Sequence, residues 1–144
     1  MGIISAFVQS VPRGRGKEKA PQSSWARSYA KLENGSWSDP IIIAQGKNWF
    51  VNWADFPSIV SVDSSFLLAH WLQKSADGTY DYDVRISRSN DGGQSWSPSI
   101  IPHKDGINAE HGFVSMVRGS IGKALARIEI PAPAAGLGPV ALRG

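Results

Sequence analysis

The sequence predicts an all-β protein, and three observations carry that expectation. Apolar residues recur with the two-residue period of strands, as in Tyr82, Val84 and Ile86, while helical periodicity is nearly absent. Clusters of Gly, Asn, Asp, Ser and Pro punctuate the chain at short intervals, as expected of turns between short strands. One turn also recurs: Asn34-Gly35-Ser36-Trp37-Ser38-Asp39-Pro40-Ile41-Ile42 is echoed from Asp91 to Ile101, with Trp37 and Trp96 in matching places. A second, similarly displaced echo relates Asp55-Phe56-Pro57-Ser58-Ile59-Val60 to Glu110-His111-Gly112-Phe113-Val114-Ser115. A period of roughly 50–60 residues, with several short strands per unit, suits a β-propeller blade better than a helical solenoid.

Taken in order, the chain divides into three parts. Residues 1–23 read as a disordered basic arm, because Val11–Pro21 is a Pro, Gly and charge stretch without apolar periodicity. Residues 24–116 hold the strands, in pieces spanning 24–44, 57–101 and 112–116. Ser24–Leu32 and Pro40–Ala44 read as the outer half of one blade. Ser58–Val62 is a short β-branched run. Ser65–Lys74 is apolar on both faces, as in a strand covered from both sides. Asp81–Arg88 alternates, Ser99–Ile101 begins a further strand, and Phe113–Met116 opens another blade. Residues 117–144 contain 14 Ala, Gly or Pro among 28 and no aromatic, so most of this segment reads as a poorly ordered tail. Within it, Ala124–Ile130 is compatible with a short helix or strand.

Composition sets further bounds. A length of 144 residues is that of one domain, and six tryptophans with 42% hydrophobic residues exclude a wholly disordered chain. The absence of cysteine excludes disulfides and thiolate metal sites. No apolar run approaches the ~18 residues of a membrane span, so no membrane partner is expected. Met1–Val11 has no basic start and no small-residue cleavage site, so no signal peptide is evident and the compartment is left open. The net charge of +3 averages unlike parts: +5 over Met1–Lys31, −5 over Leu32–Met116 and +3 over Val117–Gly144. The basic flanks lack interleaved aromatics, so no nucleic-acid partner is expected.

Ser89-Asn90-Asp91-Gly92-Gly93-Gln94-Ser95-Trp96 fits the pattern S-x-D-x-G-x-x-W. Asp91 can accept main-chain N–H bonds within such a turn, Gly93 can take a positive φ, and Trp96 can pin the turn to the sheet. This octapeptide resembles the Asp box of the sialidase (BNR-repeat) propellers. The segments NWFVNWADFPSI, LLAHWLQK, SNDGGQSW and EHGFVSM extend the resemblance to the bacterial sialidase-like group over roughly Ser24–Met116. It implies four-stranded antiparallel blades, with Ser89, Asp91, Gly93 and Trp96 structural and on the face away from the chemistry. It also implies a six-bladed ring, of which this chain supplies about two blades, so the chain is expected to be a fragment.

The opposite loop face carries the candidate site. Trp49, Asn52 and Trp53 are candidates for stacking on and hydrogen-bonding a sugar, the alternative for both tryptophans being packing between blades. Asp55, Glu110 and His111 are candidates for acid/base chemistry, since a carboxylate pair is what glycoside hydrolysis requires. His70 is expected to be a core histidine bonded to the main chain, and His103 a solvated loop residue. The three histidines show no metal-ligand spacing, so no metal and no other cofactor is expected. Family sialidases hold the substrate carboxylate with three arginines, the first in an F-R-I-P motif. Here the comparable stretch is Ala54-Asp55-Phe56-Pro57, with Asp in the arginine position, and the family's tyrosine nucleophile would lie in later blades.

Three readings of function therefore stand: a piece of a sialidase-like glycoside hydrolase, inactive alone; a non-catalytic carbohydrate-binding or protein-interaction propeller; and, compatible with either, an isolated chain without independent function. A glycan or glycoconjugate is the expected partner, and exposed blade edges allow self-association.

Overall fold

The computed structural model describes residues 4–10, 25–51, 53–119, 123–129 and 140–143. These residues form ten strands in three small antiparallel sheets, with no helix among them. The all-β expectation holds. The chain divides into two compact units, Met1–Asn48 and Trp49–Gly144.

The first unit is one four-stranded sheet made of β1 (Ile4–Ser10), β2 (Trp25–Glu33), β3 (Ser36–Trp37) and β4 (Ile41–Gly46). β2 is its centre, paired with β1 along most of its length and with β4 through a bulge between Arg27 and Ser28. The stretch 4–10, expected to belong to a disordered arm, is thus a strand in register from Ile4 opposite Leu32 to Ser10 opposite Ala26. Apolar and β-branched residues in that heptapeptide suit a pleated edge, and the basic Pro/Gly run that suggested an arm begins only after it. Asn34 and Gly35 link β2 to β3 with φ of 51° and 79°, the paired positive values of the two-residue turn that an Asn-Gly dipeptide favours. The echo of the Asp box at 34–37 is therefore an ordinary tight hairpin, and Trp37 stays 52% exposed instead of covering a loop.

The second unit holds two three-stranded sheets. One has the order β5 (Ser58–Ser61), β6 (Leu67–Lys74), β7 (Tyr82–Ser89); the other has the order β10 (Val140–Arg143), β9 (Lys123–Glu129), β8 (Gly112–Arg118). β6 is buried from Leu67 to Leu72 on both faces, which is why its sequence is apolar without alternation. Leu68 and Leu72 join Val62, Phe66, Tyr82, Val84 and Ile86 in a core closed by Ala124 and Ala126 of β9. The small side chains of β9 let its backbone lie close against that core. β9 takes the strand alternative read for Ala124–Ile130, with Ala124 and Ala126 buried on one face, and β10 replaces part of the tail expected after residue 117.

The expected fourth strand at Ser99–Ile101 is reduced to a bridge. Ile100 exchanges two main-chain bonds with Ile86 (2.8 and 2.9 Å), and the Ser97 amide reaches the Arg88 carbonyl at 2.8 Å. Pro98 lies between them and has no N–H to donate, so the ladder is interrupted there.

Candidate functional site

The site lies at the start of β7, at the end opposite the Ser89–Trp96 turn. Eight residues of strand, roughly 23 Å at ~3.3 Å per residue, separate its two ends. At the far end Ser89 donates to Asp91 Oδ1 (2.7 Å) and accepts the Gly93 amide (2.8 Å), while Asp91 Oδ1 accepts the Ser95 amide (2.9 Å). Hydrogen bonds from the Ser95 hydroxyl, the Ser95 amide and Ser89 hold the Asp91 carboxyl well below the usual carboxylate range. Gly92 and Gly93 both adopt positive φ, at 71° and 88°. The Gly92 amide bonds the Ser65 carbonyl (2.8 Å), tying the turn to the β5–β6 connection. The Ser89 and Asp91 side chains are thus engaged within the turn, which fits a structural role.

At the near end, Tyr82 is the first residue of β7 and is fully buried, its ring stacked on Phe50 at 3.9 Å between centroids. Its hydroxyl meets Glu110 Oε1 at 2.6 Å and Asp55 Oδ2 at 3.0 Å. One hydroxyl proton serves one of the two carboxylates at a time. Burial, then the hydrogen bonds to Glu110 and Asp55, push the Tyr82 phenol well above its ordinary pKa, so it stays protonated. The two carboxylate oxygens that contact it can be no farther apart than those two bonds laid end to end.

Asp55 is buried, and its Oδ1 accepts the Phe113 amide at 2.8 Å. Phe113 makes that bond with φ of 48°, a conformation rarely adopted by aromatic residues, next to the bulge at the start of β8. Gly112 leaves the space the cluster needs: a Cβ there would stand 3.0 Å from the Tyr82 hydroxyl and 3.1 Å from Asp55 Oδ2. In front of Asp55 opens a cleft of about 480 Å³ whose lining includes Phe56, Ser58, Phe113 and Ser115. Phe56 is 68% exposed and Phe113 51%.

Behind Tyr82 lies a second polar cluster. The His111 ring is fully buried; its Nε2 lies 2.8 Å from Asp105 Oδ2, and its Nδ1 lies 3.3 Å from both Asp83 Oδ1 and the Tyr82 carbonyl. The His103 ring stacks on it at 3.9 Å and 11°. His103 is therefore buried, not the solvated loop residue its sequence context suggested, because the 102–110 loop folds back along β7. Burial, then the neighbouring His111, lowers the His103 pKa and favours its neutral form. The His111 hydrogen bond in turn holds the Asp105 carboxyl below its usual range.

Of the residues singled out from the sequence, Asp55 and Glu110 are brought together. His111 follows Glu110 but turns to the opposite side and does not join the carboxylate pair. Trp49 is half-buried, edge-on to Trp71 at 6.0 Å and bridged to Gln73, so it packs within its sheet. Trp53 is 89% exposed, and Asn52 lies outside the described residues. Tyr82, Asp83, His103 and Asp105 escaped sequence reasoning as site residues. The signal available for them was the density of His, Asp and Glu between His103 and His111, uncommon in a plain loop. Compared with known proteins, the chain matches no family model, no curated protein and no solved structure.

Proposed function

We propose that the chain is part of a sialidase-type β-propeller and that the cleft lined by Asp55 is the glycan site of a glycoside hydrolase. The observation carrying this reading is the convergence of two carboxylates on one hydroxyl, one of them, Asp55, lining an open cleft beside the exposed Phe56 and Phe113. Retaining glycosidases that attack with a carboxylate, unlike the tyrosine-using sialidases, hold their two carboxyl groups about 5–5.5 Å apart, close enough for one to attack the anomeric carbon while the other serves the leaving oxygen. Bonds of 2.6 and 3.0 Å to a shared hydroxyl are compatible with that spacing. Exposed aromatic faces beside carboxylates suit pyranose rings, which offer C–H faces and hydroxyls together. The family's arginine set has no counterpart in the cleft lining, and Asp55 stands in the position of its first member. The preferred ligand is therefore a neutral glycan, since a sialic acid carboxylate would be repelled. Turnover requires residues beyond those that line this cleft.

A second reading, a glycan-binding face without catalysis, is favoured by one observation. The Tyr82 hydroxyl sits between the carboxylates and occupies the oxygens that chemistry would use. Titrating neutral and sialylated oligosaccharides into the chain, read by tryptophan fluorescence and NMR, tests both. The hydrolase-type reading expects neutral glycans to bind and Asp55→Asn or Glu110→Gln to weaken them at least about tenfold, about 1.4 kcal/mol. Affinity that survives Asp55→Ala and Glu110→Ala supports the binding face instead. If no saccharide binds, neither reading stands.

A further inference from the structure

We propose that Asp83, His103 and His111 form a divalent-metal site, suited to zinc, that clamps the 103–111 loop to β7 behind the carboxylate pair. One ligand atom from each of the three lies within 4.8 Å of the others. Two of the separations already have the length such a site needs. His111 Nδ1 is 3.3 Å and His103 Nε2 3.6 Å from Asp83 Oδ1. A tetrahedral ion with bonds of about 2.0–2.2 Å sets its ligands roughly 3.3–3.6 Å apart.

A second observation points the same way. His103 is only 6% exposed, and its Nε2 has no hydrogen-bond partner although it faces Asp83. A buried ring nitrogen left in that state costs free energy unless something accepts its lone pair. The surroundings supply what a metal-bound histidine ordinarily has. His111 is oriented through Nε2 by Asp105, itself held by the Ile107 amide at 3.2 Å, and its Nδ1 then faces Asp83 beside the Tyr82 carbonyl. Two imidazoles and a carboxylate, with a fourth position for water, form a donor set that zinc accepts well. Binding also requires movement: the near-parallel rings must tilt apart before both lone pairs meet at one point.

The expectation from sequence was that no metal binds, because the spacing of the histidines matches no metal-ligand pattern. The third ligand comes instead from β7, a separate element that precedes the loop in the chain.

The test is a titration of Zn2+, and separately Co2+, into the untagged full chain after chelator treatment. One equivalent of Zn2+ should raise Tm and shift the ring 1H–15N resonances of His103 and His111 while leaving those of His70 unchanged. Co2+ should give the visible absorption of a four-coordinate nitrogen–oxygen site. Asp83→Asn and His103→Gln should each weaken Zn2+ binding at least about tenfold, with Asp77→Asn as an unaffected control. Should His103→Gln fail to fold, the wild-type histidine resonances and Asp83→Asn decide. The proposal is overturned if the folded chain binds no Zn2+ at millimolar concentration. It is equally overturned if the resonances of His103 and His111 stay still, or if the Asp83 variant binds as tightly as the wild type. The first result would identify the pair as a stacked, hydrogen-bonded histidine couple.

Discussion

His70 illustrates how a single residue links burial to solution behaviour. It sits in the middle of β6, buried, bonded to the Ser58 hydroxyl at 2.9 Å and to the main chain of Phe56, as expected of a core histidine. Burial lowers its pKa from 6.5 to about 4, against weaker opposing effects from Phe56 and Asp55. Between those values the unfolded chain binds a proton that the native chain does not, so this residue makes stability fall as pH drops through the window. At pH 5 the loss is about 2 kcal/mol relative to pH 7.5. Urea midpoints at the two pH values check it, with His70→Gln expected to remove that share of the difference. A variant with the same pH slope as wild type would place the effect elsewhere.

At the scale of elements, β7 is the strand on which everything depends. Its inward residues Tyr82, Val84 and Ile86 build the core, its first residue positions the carboxylate pair, and its last begins the Ser89–Trp96 turn. The two ends are chemically independent, so they respond separately to mutation. Asp91→Ala removes the acceptor for the Ser95 amide and the partner of the Ser89 hydroxyl, and both donors lose their place in the turn. Tm is expected to fall, while the Tyr82–Glu110 bond and any glycan affinity at the other end stay as in the wild type. Thermal unfolding and the glycan titration on this variant test that separation; lost affinity with an unchanged Tm would contradict it. The Gly-Gly pair explains why the turn was readable in sequence. Both positions have φ values favoured by glycine, and a Cβ on Gly92 would come within 3.1 Å of the Ser64 carbonyl.

For the whole molecule, the division into two units predicts that Trp49–Gly144 folds alone. That unit contains the apolar core from Val62 to Ala126 and, among the described residues, the sheets β5–β6–β7 and β8–β9–β10. Expressed without Met1–Asn48, it should keep a β-type circular dichroism spectrum and near-UV tryptophan signals. A flat near-UV spectrum would show that the first unit is needed. The all-β class, β6 covered on both faces, alternation in β7 and the turn after Ser89 were legible in the sequence, because each rests on side-chain period or on turn chemistry within a few residues. Ile4–Ser10 was not legible, and Ala124–Ile130 was legible only as a helix or a strand, because short or alanine-rich strands have no local signature and are defined by the partners they pair with. The same limit governs the site. Asp55 and Glu110 could be named as candidates, but their convergence on Tyr82, distant from both in sequence, is set by strand register. The burial of His103 against His111 and Asp83 likewise depends on how the 102–110 loop folds along β7. Local chemistry determined the elements; only tertiary pairing, which joins residues distant in sequence, decided which polar groups share a site.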